Sequence, residues 1–255
     1  MRLSDGAEAI RGDLPTASTR VVDVPMEAGD ELGSGLPRLG SLQLVRDRVR
    51  EALENVDGWP LLIGGDCGAE LAAVERAAGD GTVAVVWFDA HPDLNTPESS
   101  TTGAFGGMVL RTLLGDGVPA LVPSTPIDPR LVVIAGSRST DDSEEQYLLS
   151  SPIARLGAEQ LATPDALLAA VEATGATSVY LHIDLDVLDP AELAGLSDPV
   201  PFGVTAAALV QSIKAVKARF PLVGAGITGF SPATAEAAAD DLPTILRIIG
   251  ALTSP

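Results

Sequence analysis

The sequence predicts an α/β fold: a three-layer α-β-α sandwich around a central parallel sheet, in one domain over residues 1–255. Three observations carry this expectation. Short aliphatic or β-branched runs recur along the chain, and they are nearly continuous in hydrophobicity, as strands covered on both faces are. Longer amphipathic stretches separate them, which implies right-handed βαβ crossovers. No internal repeat, low-complexity tract or linker interrupts the alternation.

In chain order, the strand-like runs are RVVDVP (20–25), PLLIGGD (60–66), VAVVWFDAH (83–91), RLVVIAGSR (130–138), SVYLHIDLDV (178–187) and PLVGAGITGF (221–230). Amphipathic spacing predicts helices over 41–56, 68–78, 103–114, 164–175, 204–218 and 240–252. Two irregular segments, TPESSTTGAFGG (96–107) and DPAELAGLSDPVPFG (189–203), follow the C-terminal ends of strands. Parallel sheets place their ligand sites there.

Composition narrows the function classes. Hydrophobic residues make up 46% of the chain, ample for a large core. The 35 acidic against 16 basic residues give a formal charge of −19, which repels nucleic acid and anionic lipid and tolerates cations. Cys67 is the single cysteine, so an internal disulfide is excluded. With nothing resembling a signal peptide or a bilayer-spanning run, a cytosolic protein is expected.

Chemistry concentrates where two apolar runs end. In VVWFDAHPDLN, Asp89, His91 and Asp93 occupy every second position, and strand periodicity would turn them toward one face. In YLHIDLDVLDP, His182, Asp184 and Asp186 repeat the pattern before Asp189 and Pro190. A lone D-x-D is commonly a backbone cap. Two of them at apolar strand ends would repel each other in a low-dielectric setting unless a cation lay between. Four carboxylates, an imidazole and Cys67 form a mostly hard donor set that suits Mn²⁺. Two such ions would acidify a bridging water into a nucleophile near neutral pH, which implies hydrolysis.

These residues resemble the ureohydrolase superfamily of arginase and agmatinase. Its signatures G-G-D-H, D-A-H-x-D-x-N and D-x-D-x-x-D-P stand here as GGDCG (64–68), DAHPDLN (89–95) and DLDVLDP (184–190), in the same order and spacing. The resemblance runs from about residue 6 to the C-terminus. It implies two manganese ions bridged by Asp89 and Asp184, with Cys67 and Asp93 completing one and His91 and Asp186 the other. It further implies that Asp93 orients the metal-bridging hydroxide, that Asn95 and Thr102 hold a substrate α-carboxylate, and that Asp141 meets the α-amino group. The partner implied is a small amino-acid-like substrate, with a homo-oligomer as the family's usual assembly.

Several departures from the family pattern shape the expectation. Cys67 replaces a metal-binding His; it reads either as a thiolate ligand or as a small buried residue. Gly106 stands in place of a proton-shuttling His, and His182 is expected to be a packed, hydrogen-bonded core histidine instead of its substitute. Ala104 replaces a carboxylate-binding Asn, and Gly229 a Glu that faces the guanidinium. Finally, GAEAIRG (6–12) resembles the family's first helix, so the usual opening strand is expected to be missing, leaving a sheet edge exposed. The leading expectation is hydrolysis of a C–N bond in a linear amidine or guanidino compound. The alternatives are an N-hydroxyguanidine hydrolase of the Nω-hydroxy-L-arginine type and a degenerate member that binds metal or ligand without turnover.

Overall fold

The computed structural model describes residues 3–25, 29–79 and 81–254. Six parallel strands form one sheet: β1 (Leu61–Ile63), β2 (Val83–Phe88), β3 (Val132–Ala135), β4 (Ala154–Leu156), β5 (Ser178–Asp184) and β6 (Leu222–Thr228), in the spatial order β1-β6-β5-β2-β3-β4. Helices α1 (Leu3–Gly12), α2 (Leu39–Leu53), α3 (Leu71–Ala78), α4 (Val109–Leu113), α5 (Asp142–Ser150), α6 (Asp165–Ala173), α7 (Ala206–Arg219) and α8 (Ala235–Thr253) cover its faces. The result is the three-layer α-β-α sandwich expected.

The period of a strand divides the core in two. On β2, Ala84, Val86 and Phe88 face the layer built by α1, α6, α7 and α8. Val83, Val85 and Trp87 face the layer of α2, α3 and α4. On β5, Tyr180 joins the second layer while Val179, Leu181 and Ile183 join the first. His182 and Asp184 therefore share the side of Tyr180, toward α3.

The order of the strands fixes where a ligand can sit. From β2 the chain winds outward through β3 and β4, then crosses back so that β5 pairs with the other side of β2. The direction of winding reverses between β2 and β5, and a crevice opens beyond their C-terminal ends. Both D-x-D segments leave the sheet there.

The elements also correct the sequence reading. Residues 20–25 are not a strand: Val21 and Val24 stay exposed, and the segment is tied to α2 by Arg48 donating to Asp23 and Arg20 donating to the Ala52 carbonyl. A β-branched run with no neighbour to pair with gains no ladder. Among the described residues no strand precedes β1, which lies at the sheet edge, as the missing opening strand implies. The helix expected over 103–114 shrinks to a short 3₁₀ turn at Gly106–Met108 followed by α4. Helix α8 starts earlier than expected, capped by Thr234, and carries Pro243 within it. Strand β4, with Arg155 outward, is too short and polar to read, and α5 was overlooked although its capping box, Asp141 to Glu144, is written in the sequence. No described helix is long and apolar enough to cross a membrane.

Candidate metal centre

The site is assembled from three chain segments converging on the β2/β5 crevice. The loop after β1 delivers Cys67: Asp66 caps the 3₁₀ turn Cys67–Glu70 by accepting from the Gly68 amide. Gly64 donates to the Ile227 carbonyl and Gly229 donates to that of Gly65, so this loop is stitched to β6. The thiol is buried, its Sγ lying 3.3 Å from Asp184 Oδ2 and 3.9 Å from Asp89 Oδ2.

The segment after β2 delivers the next three groups, but not by strand alternation. β2 ends at Phe88, and Asp93 lies in the left-handed region at φ 52°, uncommon for a residue with a Cβ. Folding of this loop splits the trio around Asp89. One side holds His91, whose Nδ1 is 2.9 Å from Asp186 Oδ2; the other holds Asp93. Asp89 Oδ1 accepts from the His91 amide and Asp186 Oδ1 from that of Ala90, so the two D-x-D segments are joined through backbone.

The third segment, from β5, delivers His182, Asp184 and Asp186. Asp184 accepts from the Asp186 amide through Oδ1 and from Thr228 through Oδ2. His182 is fully buried and stacks on Trp87 with ring centroids 3.6 Å apart. Its Nδ1 lies 3.0 Å from Glu70 Oε1, as a packed core histidine requires, while its Nε2 has no hydrogen-bond partner.

Two groups of side chains each bring one donor atom within 4.8 Å of the others: Cys67, Asp89, Asp93 and His182; and Asp89, His91 and Asp186. Asp89 is common to both. The residues fit divalent cations by three tests. Asp93 Oδ2 is buried and unpaired, a costly state for a carboxylate oxygen. Burial pushes Asp93 and Asp186 well above the usual carboxylate range, and the charges of neighbouring aspartates push further. Burial, with Asp93 and Asp184 beside it, likewise raises the Cys67 thiol. Burial opposes charge on His91 too, yet Asp186 and Asp89 hold its pKa up at about 11. A cluster that draws in protons in this way has negative potential to spare for a cation.

The expected substrate residues lie beyond this cluster. Asn95 Nδ2 donates to Asp141 Oδ2 at 2.8 Å, and Asp141 Oδ1 caps α5 by accepting from the Ser143 and Glu144 amides. Asp141 is therefore half committed to structure. Thr102 sits exposed on the 96–107 loop, where its Oγ1 accepts from the Ala104 amide. Gly106 has open space around it, the nearest atom to an added Cβ being that of Asp66 at 3.7 Å.

Gly229 is different. It closes β6 at φ 82°, and an added Cβ would lie 2.1 Å from Asp184 Oδ1. The missing Glu at this position is thus built into the backbone, because any side chain would collide with a site carboxylate. Asp198, a carboxylate 78% exposed, lies 3.7 Å from His91 Nε2.

Residues 7–246 match the Arginase family. The chain belongs to that family. It is 32% identical over 221 residues to the arginase of Bacillus subtilis (strain 168), a stretch covering 80% of this chain and 71% of that protein. Against the arginase of Staphylococcus aureus (strain MRSA252) it is 32% identical over 174 residues, 64% of this chain and 57% of the relative, so it spans little more than half of that enzyme's length. The crystal structure of Entamoeba histolytica arginase in complex with L-ornithine superposes with a TM-score of 0.87, covering 100% of this chain and 94% of that one. At 23% identity this last likeness is one of fold alone.

Two residues of this arginase-family site went unseen in the sequence. Arg138 donates to the carbonyls of Asp186, Val187, Leu188 and Val200, fastening the loop that carries Asp186 to the 189–203 segment. Glu70 is fully buried between Tyr180 and His182. A signal for Glu70 did exist: a carboxylate three residues after Cys67, in a turn whose other members, Cys67, Gly68 and Ala69, are small.

Proposed function

We propose that the protein is a dinuclear manganese hydrolase acting on a C–N bond of a linear amidine or guanidino compound. The observation that carries this reading is the pair of donor groups hinged on Asp89, with Asp93 Oδ2 unpaired among them. Asp89 and Asp184 would hold the ions together with Cys67 and Asp93 on one side and His91 and Asp186 on the other. When bound, the ions supply a water acidified into a nucleophile and a positive field that favours charge on a carbonyl-like centre.

The chain's own side chains do the rest. Asp93, strained at positive φ and free at Oδ2, can take a hydrogen bond from the attacking water and aim it. Asn95 and Asp141, which hold each other, offer the remaining face of an amino-acid-like substrate its polar contacts. Arg138 keeps the Asp186 loop from spreading under the repulsion of its neighbours.

Gly229 favours one substrate type within this class, an N-hydroxyguanidine. A guanidinium entering this site meets no carboxylate at the end of β6, and the collision with Asp184 forbids one. An N-hydroxyguanidine is mostly neutral near pH 7 and needs no such partner.

The test is metal counting by elemental analysis after loading with Mn²⁺, with turnover measured on arginine, agmatine, Nω-hydroxyarginine and formimidoylglutamate. About two ions per chain with release of urea, hydroxyurea or formamide, according to the substrate, supports the reading. Metal-free protein, or loaded protein inert toward all four, would overturn it.

A further inference from the structure

His182 is the residue that neither the family pattern nor the proposed ligand set employs. Its position is nevertheless specified by more groups than any core histidine needs. Trp87 stacks on the ring and fixes its plane, with an interplanar angle of 18°. Glu70 Oε1 fixes its Nδ1 at 3.0 Å, and Tyr180 donates to the other oxygen, Glu70 Oε2, at 2.9 Å. Room for the Glu70 carboxylate exists because Gly226 faces it: a Cβ there would lie 1.8 Å from Glu70 Cδ. Strands β5 and β6, the turn after Cys67 and Trp87 of β2 all contribute to holding one imidazole.

What this apparatus leaves free is Nε2. It is buried without a hydrogen-bond partner, and Asp89 Oδ2 lies 3.6 Å away, at ion-pair range but beyond hydrogen-bond distance. A buried imidazole kept for packing satisfies both nitrogens. One held by a carboxylate at Nδ1 with its other nitrogen bare matches the arrangement by which proteins present a histidine to a metal, the carboxylate fixing the tautomer and raising basicity. A ring nitrogen of His182 lies within 4.8 Å of donor atoms of Cys67, Asp89 and Asp93, and Nε2 is the one that faces Asp89.

We propose that His182 is a metal ligand, binding through Nε2 the cation shared by Cys67, Asp89 and Asp93, with Glu70 as the positioning residue that sets its tautomer. This rests on the dinuclear reading above and deepens it. The imidazole lost from the loop after β1, where Cys67 now stands, is resupplied from β5 beneath. The inner cation then has one sulfur, one nitrogen and carboxylate oxygens around it, a softer set than that of His91, Asp89 and Asp186.

The chain has two histidines, so ring-nitrogen NMR of histidine-labelled full-length protein reports on both, and His182→Asn assigns them. The probe is Zn²⁺ alone, titrated to saturation. Both imidazoles moving to metal-bound positions, His182 through Nε2 with its Nδ1 proton retained toward Glu70, is the expected result. If His91 alone responds, the ligand assignment fails while the metal centre survives; if neither responds, both fail. In parallel, Glu70→Gln should weaken retention of the inner ion by roughly 10–100-fold. Unchanged retention would remove Glu70 from the role. Tyr180→Phe reads the same link should Glu70→Gln not fold.

Discussion

The two halves of the proposed metal centre are supported differently. The outer half, His91 with Asp186, lies on loops at the mouth, and its imidazole remains partly exposed. Backbone amides and Arg138 hold it, and its residue types follow the family pattern. The inner half, Cys67 with Asp93 and His182, is buried against the sheet, and its imidazole is held by side chains: Glu70, Tyr180 and Trp87. Departures from the pattern gather there. An outer ligand can be replaced only at the cost of the loop that presents it, whereas an inner ligand can be exchanged if a neighbouring strand supplies another donor.

The strongest challenge to this division is the residue common to both halves. Asp89 contributes a donor to each group, so Asp89→Asn should empty both and not one. Retained metal should fall to near zero at stoichiometric Mn²⁺, with turnover lower by about a hundredfold or more. Elemental analysis after gel filtration decides it. Retention of one full equivalent would show the halves to be independent sites that merely adjoin.

A smaller effect, confined to one half, is expected of Cys67→Ser. The thiol lies among Asp89, Asp184 and Thr228, and a hydroxyl fits the same space. Co²⁺-loaded protein should show a thiolate-to-metal charge-transfer band that this variant lacks, and the inner ion should be held on the order of tenfold more weakly. No such band in the unaltered protein would make Cys67 a plain buried thiol and leave His182 the stronger donor.

How much of this was legible beforehand follows the same division. Asp89, His91, Asp184 and Asp186 stand out by residue type and spacing as groups converging on one crevice, since charged groups that close fully buried strands need a reason to be there. The sheet centre was legible because β2, β5 and β6 are apolar nearly throughout; β4, with Arg155 turned outward, was not. The segment 20–25 misled because β-branched residues signal a strand only where a partner exists. The role proposed for His182 is hidden for a different reason. Reading it requires knowing that β6 lies beside β5, so that Gly226 clears a space for Glu70 under the imidazole. That is a fact of topology which no local pattern of residues expresses. Gly229 belongs with it: its glycine looked like a lost side chain and is instead a position where Asp184 leaves room for none.

The smallest effect should come from the mouth. Asp198 projects from the 189–203 segment with its carboxylate near His91 Nε2, and its exposure lets water screen whatever it attracts. Asp198→Asn should leave metal content unchanged, because Asp198 belongs to neither donor group and His91 is already held by Asp186. Its influence should fall on the entering substrate. A cationic compound such as arginine or agmatine would lose an attraction at the opening, and a neutral N-hydroxyguanidine would lose almost nothing. The expected signature is a rise in KM for cationic compounds of at most about fivefold, shrinking in high salt, with kcat unmoved. A loss of metal instead would place Asp198 inside the outer half, and the boundary between a solvent-screened mouth and a protein-held centre would have to be drawn one residue further out.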